Sequence, residues 1–165
     1  MILTGTFDAH SLPLFSEISS YTRMAQPMYD PLRRCLTVEK TGRGLVSTYP
    51  SISALAGLLS LKDNWDSYGS LAPKLATVQK ASELLNRFHN NVNVSGFPWT
   101  NPHVSASELG EVVFEWWAGT HKLTIYISDQ DVEFIRVWGT DIVEEMADGK
   151  LAGEGFTDLW RWLNA

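Results

Sequence analysis

A single cysteine, Cys35, is all that the 165 residues contain, so the chain can form neither an internal disulfide nor a cysteine-based zinc cluster. A reducing, cytoplasmic setting follows most simply. Histidine is sparse and scattered at His10, His89, His103 and His121, and no pair has the i,i+4 spacing of a helical metal site. No Gly-x-Ser-x-Gly elbow is present to hold a serine nucleophile. Gly42-Arg43-Gly44 lacks the spacing of either phosphate-binding glycine loop. Asp129-Gln130-Asp131 starts like a calcium loop, yet no glycine and distal glutamate follow. Nothing here calls for a metal or an organic cofactor. Long apolar runs are missing as well: Leu55-Ala56-Gly57-Leu58-Leu59 is typical of the longest, far short of the about 18 residues of a membrane span. The first five residues show no basic segment leading into an apolar one, so no signal peptide is expected.

What is present is globular composition, with 44% hydrophobic and 19% charged residues. The length predicts one domain over 1–165 with a sizeable core, made of an extension over 1–50 and a main body over 51–165. The net charge of −6 is unevenly spread. Residues 1–104 carry 9 Lys/Arg against 7 Asp/Glu, whereas residues 105–165 carry 4 against 12. An acidic half repels phosphate backbones, so direct nucleic-acid binding is disfavoured and a partner protein with a basic surface is favoured. The same charge also serves solubility.

In the extension, Ser11 and Pro13 predict the start of a helix that ends before Pro27. Residues 35–40 and 45–49, on either side of the Gly-Arg-Gly turn, predict a β-hairpin. After Pro50, a short helix over 51–61 carries Ile52, Leu55, Leu58 and Leu59 on one side. A longer helix over 73–89 has Leu75, Val78, Ala81, Leu85 and Phe88 as its apolar stripe, and His89 near its end suits the helix dipole. The prolines at 98 and 102 mark an edge strand or its approach. Three strands follow over 111–117, 122–128 and 132–138, and their short connections predict an antiparallel meander. Alternation puts Val112, Phe114, Trp116, Leu123, Ile125 and Ile127 on the face toward the long helix. Residues 141–150 read as a short acidic element ending in an Asp148-Gly149 turn, and Phe156, Leu159, Trp160 and Leu163 space a closing helix. The expected class is α+β: an antiparallel meander packed on one long helix, with an N-terminal helix and hairpin segment and a C-terminal helix.

Between the two central helices lies Asn64-Trp65-Asp66-Ser67-Tyr68-Gly69-Ser70. Asp66 and Ser67 are suited to bond backbone N–H groups just downstream and Gly69 to a positive φ, so the stretch reads as a folded corner with Trp65 and Tyr68 tucked inward. Asp63 and Asp66 flanking an indole also fit a ligand-holding corner. This corner, Pro73, the amphipathic helix after it and a strand ending in Glu115-Trp116 resemble, from about Ile52 onward, a group of short bacterial and phage proteins. That group shares a Trp-Asp-x-Tyr-Gly corner and a Glu-Trp strand. The resemblance implies a setting among bacterial genomes and mobile elements, and it brings no catalytic residue.

The sheet face away from the long helix holds Val113, Trp117 and Tyr126 among Glu111, Glu115 and Glu133. Either the first 50 residues cover it as a second core layer, or it is an aromatic interface edged with carboxylates. With Glu144 and Glu145 in the acidic segment and Trp162 extending the patch, these are the candidate partner-binding residues. Glu111 and Glu115 facing a pocket would make an acid–base pair, but their position opposite Phe114 predicts solvent. The leading expectation is therefore a non-enzymatic protein that binds a basic partner, in its specific form an anti-CRISPR-like inhibitor of a nucleic-acid-handling or defence complex. A small enzyme or ligand-binding domain built on the Asp63/Asp66 corner, and a homodimer through the aromatic face, are the alternatives.

Overall fold

The computed structural model describes residues 44–141, 143–151 and 155–165, with residues 44–47 by backbone alone. In chain order these form helices α1 (Gly44–Leu58) and α2 (Leu75–Val94), strands β1 (His103–Ala106), β2 (Val112–Ala118), β3 (His121–Ile127), β4 (Val132–Val137) and β5 (Met146–Lys150), and helix α3 (Phe156–Leu163). The strands make one antiparallel sheet in sequence order. The class is α+β with a meander, as alternation and short connections predict.

Register fixes which side chains share a face. Val112, Phe114 and Trp116 stand opposite Ile127, Ile125 and Leu123, and all six are buried against Val78, Ala81, Leu84, Leu85 and Phe88 of α2. Each such buried side chain is worth about 1.5–3 kcal/mol relative to exposure. α1 adds Leu55, and α3 adds Phe156, Leu159, Trp160 and Leu163, to the same core. Phe88 is the hub. Its ring centroid lies 5.3 Å from Trp116, 4.9 Å from Phe156 and 5.5 Å from Trp160. Two of these indoles are buried without loss because Trp116 Nε1 donates to the Thr100 carbonyl at 3.0 Å and Trp160 Nε1 to the Pro98 carbonyl at 3.2 Å.

The helix borders differ from the sequence reading. α2 starts after Pro73, with an extended Lys74 as its cap, and runs past His89 and the Asn90-Asn91 pair. Val92 is buried, so the apolar stripe gains another turn, and the Asn91 side chain donates to the Arg87 carbonyl at 2.9 Å. His89 is consequently mid-helix, 4% exposed and edge-on to Trp99 at 5.1 Å; packing, rather than the helix dipole, accounts for it.

Residues 45–49, expected as the second hairpin strand, belong to α1, which carries Pro50 inside it. Proline removes one helix bond. Burial of Thr48, Ser51 and Leu55 at helical spacing, and a 3.0 Å bond from Ser51 Oγ to Asn101 Oδ1, hold the helix through it. The partner strand over 35–40 and the N-terminal helix lie outside the described residues. Asp148-Gly149, expected as a turn, is inside β5. Gly149 faces Phe134, and a Cβ there would come within 3.1 Å of that ring, so this glycine makes room for an aromatic side chain. Among the described residues no helix is long and apolar enough to cross a membrane.

Candidate functional site at the corner and the acidic cleft

The stretch 63–72 is a corner closed by its own polar side chains. The Asp66 carboxylate accepts the Tyr68 N–H at 2.9 Å and the Ser70 hydroxyl at 2.5 Å. Asn64 Oδ1 takes the Gly69 N–H at 2.8 Å, and Asp63 Oδ1 takes the Ala72 N–H at 2.9 Å. Asn64 and Ser67 join Gly69 at positive φ, a conformation that such local bonds sustain. The Ser70 hydroxyl, then the Tyr68 N–H, hold the Asp66 carboxyl below the ordinary aspartate range.

The expected inward rings are not found. Tyr68 is 92% exposed and Trp65 40% exposed, the indole N–H of Trp65 donating to the Leu71 carbonyl at 3.2 Å. Side-chain-to-backbone bonds close the corner by themselves, so the rings are not needed as anchors and stay at the surface. With Asp66 spent on the backbone, a ligand site built from Asp66, Trp65 and Tyr68 has no free carboxylate from that residue.

The corner instead docks on the turn before β2. The Leu71 N–H donates to the Glu108 carbonyl at 2.9 Å. Gly110, at φ +77°, lies so close that a Cβ would sit 3.1 Å from the Ala72 carbonyl oxygen. Between this junction and the β3–β4 turn opens a cleft of about 490 Å³, lined among others by Asp63, Leu71, Leu109, Glu111, Asp129 and Asp131. Its far wall is pinned to α2: Lys80 Nζ donates to the Ser128 and Asp129 carbonyls at 2.9 and 3.2 Å. The Thr77 hydroxyl, then the Lys74 ammonium, pull the Asp129 carboxyl down. Asp131 pairs with Lys150 at 3.0 Å and thereby raises the lysine. Asp63 and Glu111 meet only neutral donors, Glu111 taking the Ser107 hydroxyl at 2.8 Å. Both have no ion-pair partner among the described residues, so the cleft keeps an excess of negative charge. Leu71 is half-exposed and Leu109 is 69% exposed on the same junction.

Of the residues singled out by sequence, Glu115, Trp117, Tyr126 and Glu133 do share the outer sheet face, as the register of β2, β3 and β4 requires. Their electrostatics differ from the expectation. The Glu115 carboxylate bonds Lys122 at 2.6 Å and lies 3.5 Å from His103, and the Lys122 ammonium sits 5.3 Å from the Trp117 ring. Trp117, 57% exposed, is thus bordered by the Lys122 cation and the His103 ring, while Val113 on the same face is buried. Glu111 belongs to the cleft. Glu145 turns back to accept the Asp141 N–H at 2.9 Å, and Glu144 is exposed. Trp162 does not extend the outer face. It lies with α3 on the core side, where its ring meets His121 at 4.8 Å and Trp138 at 6.0 Å.

Sequence reasoning missed Leu71, Leu109 and the 128–131 turn as parts of one surface. A leucine in the middle of the polar Glu108-Leu109-Gly110 turn was the available signal. Among the described residues no three His, Cys, Asp or Glu side chains are grouped to hold a metal ion. The chain matches no protein-family model, no curated protein and no solved structure.

Proposed function

We propose that this chain is a protein-binding module that engages a positively charged partner through the end of the molecule formed by the corner, the 107–111 turn and the β3–β4 turn. The observation that carries the reading is the cleft, which combines uncompensated Asp63 and Glu111 carboxylates with the exposed Leu71 and Leu109. A lysine or arginine side chain has the matching form, an apolar stem ending in a charge. Its stem lies along the leucines and its head meets the carboxylates. In its specific form the partner is a nucleic-acid-handling or defence complex of a bacterial cell, and the acidic protein occupies a surface meant for DNA or RNA.

Pull-down from a bacterial lysate at rising salt tests this, because contacts between exposed charges are screened. Asp63→Asn and Glu111→Gln remove charge while keeping the oxygen that accepts Ala72 N–H or Ser107 O–H, and Leu109→Ser removes the apolar contact. The expected result is a partner recovered at low salt, lost as salt rises, and lost with the combined variant at unchanged thermal stability. No partner at any ionic strength, or one retained by the combined variant, overturns the reading. The cleft volume, inside the roughly 300–1,000 Å³ of small-molecule sites, favours a second reading as a site for a small organic cation. A saturable heat of binding with a free diamine, abolished by the same variant, would distinguish it.

A further inference from the structure

Away from the cleft, at the α3 end of the sheet, Arg136 lies on the core side, opposite Leu123 on β3 and Ala147 on β5. Its guanidinium carbon sits 5.6 Å from the Phe134 ring centroid and 5.3 Å from that of Trp162, both within cation–π range. The described lysines Lys74, Lys122 and Lys150 and the arginine Arg161 reach a carboxylate, and Lys80 reaches backbone carbonyls. Among the described residues Arg136 reaches no oxygen; Lys62 and Arg87 reach none either, but both are exposed to water. Its Nε is shielded from solvent and, among the described residues, is the buried side-chain nitrogen or oxygen left without a hydrogen-bond partner. A shielded donor on a permanent cation is costly to leave unmet.

The surroundings repeat the pattern. Trp65, Trp99, Trp116 and Trp160 spend their indole N–H on a protein oxygen, whereas among the described residues the indole N–H groups of Trp138 and Trp162, beside Arg136, and of the exposed Trp117 on the outer sheet face, meet no protein acceptor. A cation with unspent donors, flanked by aromatic rings with unspent donors, is complementary to one chemical group. The donors of a guanidinium lie in its plane and match the two oxygens of a carboxylate or phosphate.

We propose that Arg136, Trp138 and Trp162 form a site for a small oxyanion, a carboxylate or phosphate group whose oxygens take the guanidinium N–H groups and whose attached carbon skeleton rests on the indoles. The site is separate from the cationic partner cleft and does not depend on it. The chain's net charge of −6 selects against a polyanion and leaves a single oxyanion group as the ligand.

The test is an NMR titration of the intact, ¹⁵N-labelled chain, following the arginine Nε–H and indole N–H signals. The probes are sodium phosphate, sodium acetate and sodium benzoate, with sodium chloride at matched ionic strength as control. The Arg136 Nε–H signal should move downfield and saturate, with the Trp138 and Trp162 indole signals following. Saturation by phosphate alone assigns a phosphate ligand; benzoate binding tighter than acetate assigns a carboxylate on a flat apolar skeleton. Arg136→Lys should weaken binding about ten- to a hundredfold, the cost of losing charge-assisted bonds. Trp162→Phe, which keeps a ring and loses the N–H, is the second variant should the first fail to fold, and it should weaken binding in the same direction. Shifts that never saturate, that chloride reproduces, or that persist unchanged in a folded variant overturn the proposal.

Discussion

Replacing Trp160 by alanine should be the most damaging single change on α3. The side chain is fully buried, stacked on Trp99 at 5.1 Å with an interplanar angle of 14° and edge-on to Phe88 and Trp116. It also supplies the N–H that the Pro98 carbonyl accepts. Truncation loses the transfer energy of the indole and leaves a cavity among rings that relax only in part, about 3–5 kcal/mol. Trp160→Phe isolates one component: it keeps most of the apolar area and orphans the Pro98 carbonyl, for about 1–3 kcal/mol. Urea denaturation followed by far-UV circular dichroism measures both. With a slope of about 2 kcal/mol/M, the alanine variant should lower the midpoint by roughly 2 M without changing the slope. A loss under about 1 kcal/mol for alanine would mean that α3 does not close this core, and the aromatic hub would be wrong.

Gly110→Ala should cost about 1–3 kcal/mol, because φ is positive and the new Cβ meets the Ala72 carbonyl and Leu71; the same denaturation assay reads it. Asp66, with its carboxyl held below the ordinary value, stabilises the corner above the unfolded aspartate pKa of about 3.9 and gives that up as pH falls through the lowered native value. NMR of the Tyr68 and Ser70 amides on acidification should show the corner intact at pH about 4 and opening only below it; opening above that pH would refute the assignment. His89 has its pKa pushed down by burial, so the unfolded chain binds a proton that the native one refuses. Its contribution is full above the unfolded value of about 6.5 and declines as pH drops toward the lower native one. Stability measured by urea at pH values across that range should therefore fall less steeply in His89→Gln than in the parent chain, and equal slopes would show that His89 charges freely in the fold.

Sequence alone determined the β2–β4 meander and the core it buries. Period-two alternation over β2 and β3 and the stripe from Val78 to Phe88 are local patterns, and each names the face that must leave water whatever lies opposite. The closing helix was legible for the same reason. Local pattern was insufficient where one residue serves two purposes: Pro50 reads as a boundary but lies inside a helix whose neighbours are buried, and Gly149 reads as a turn but makes room for Phe134. The bonds of Asp66 to Tyr68 and Ser70 were legible because they join residues two to four apart in the chain, whereas those of Asn64 to Gly69 and Asp63 to Ala72 were not read from it. Whether the corner's rings face in or out was decided by packing that no short-range pattern records. Tertiary structure alone brought Leu71, Leu109 and Asp129 to one cleft, paired Glu115 with Lys122, and set Arg136 between Phe134 and Trp162. Those contacts join residues whose proximity depends on strand register and on how the helices dock, and the energy of a charge depends on what stands beside it.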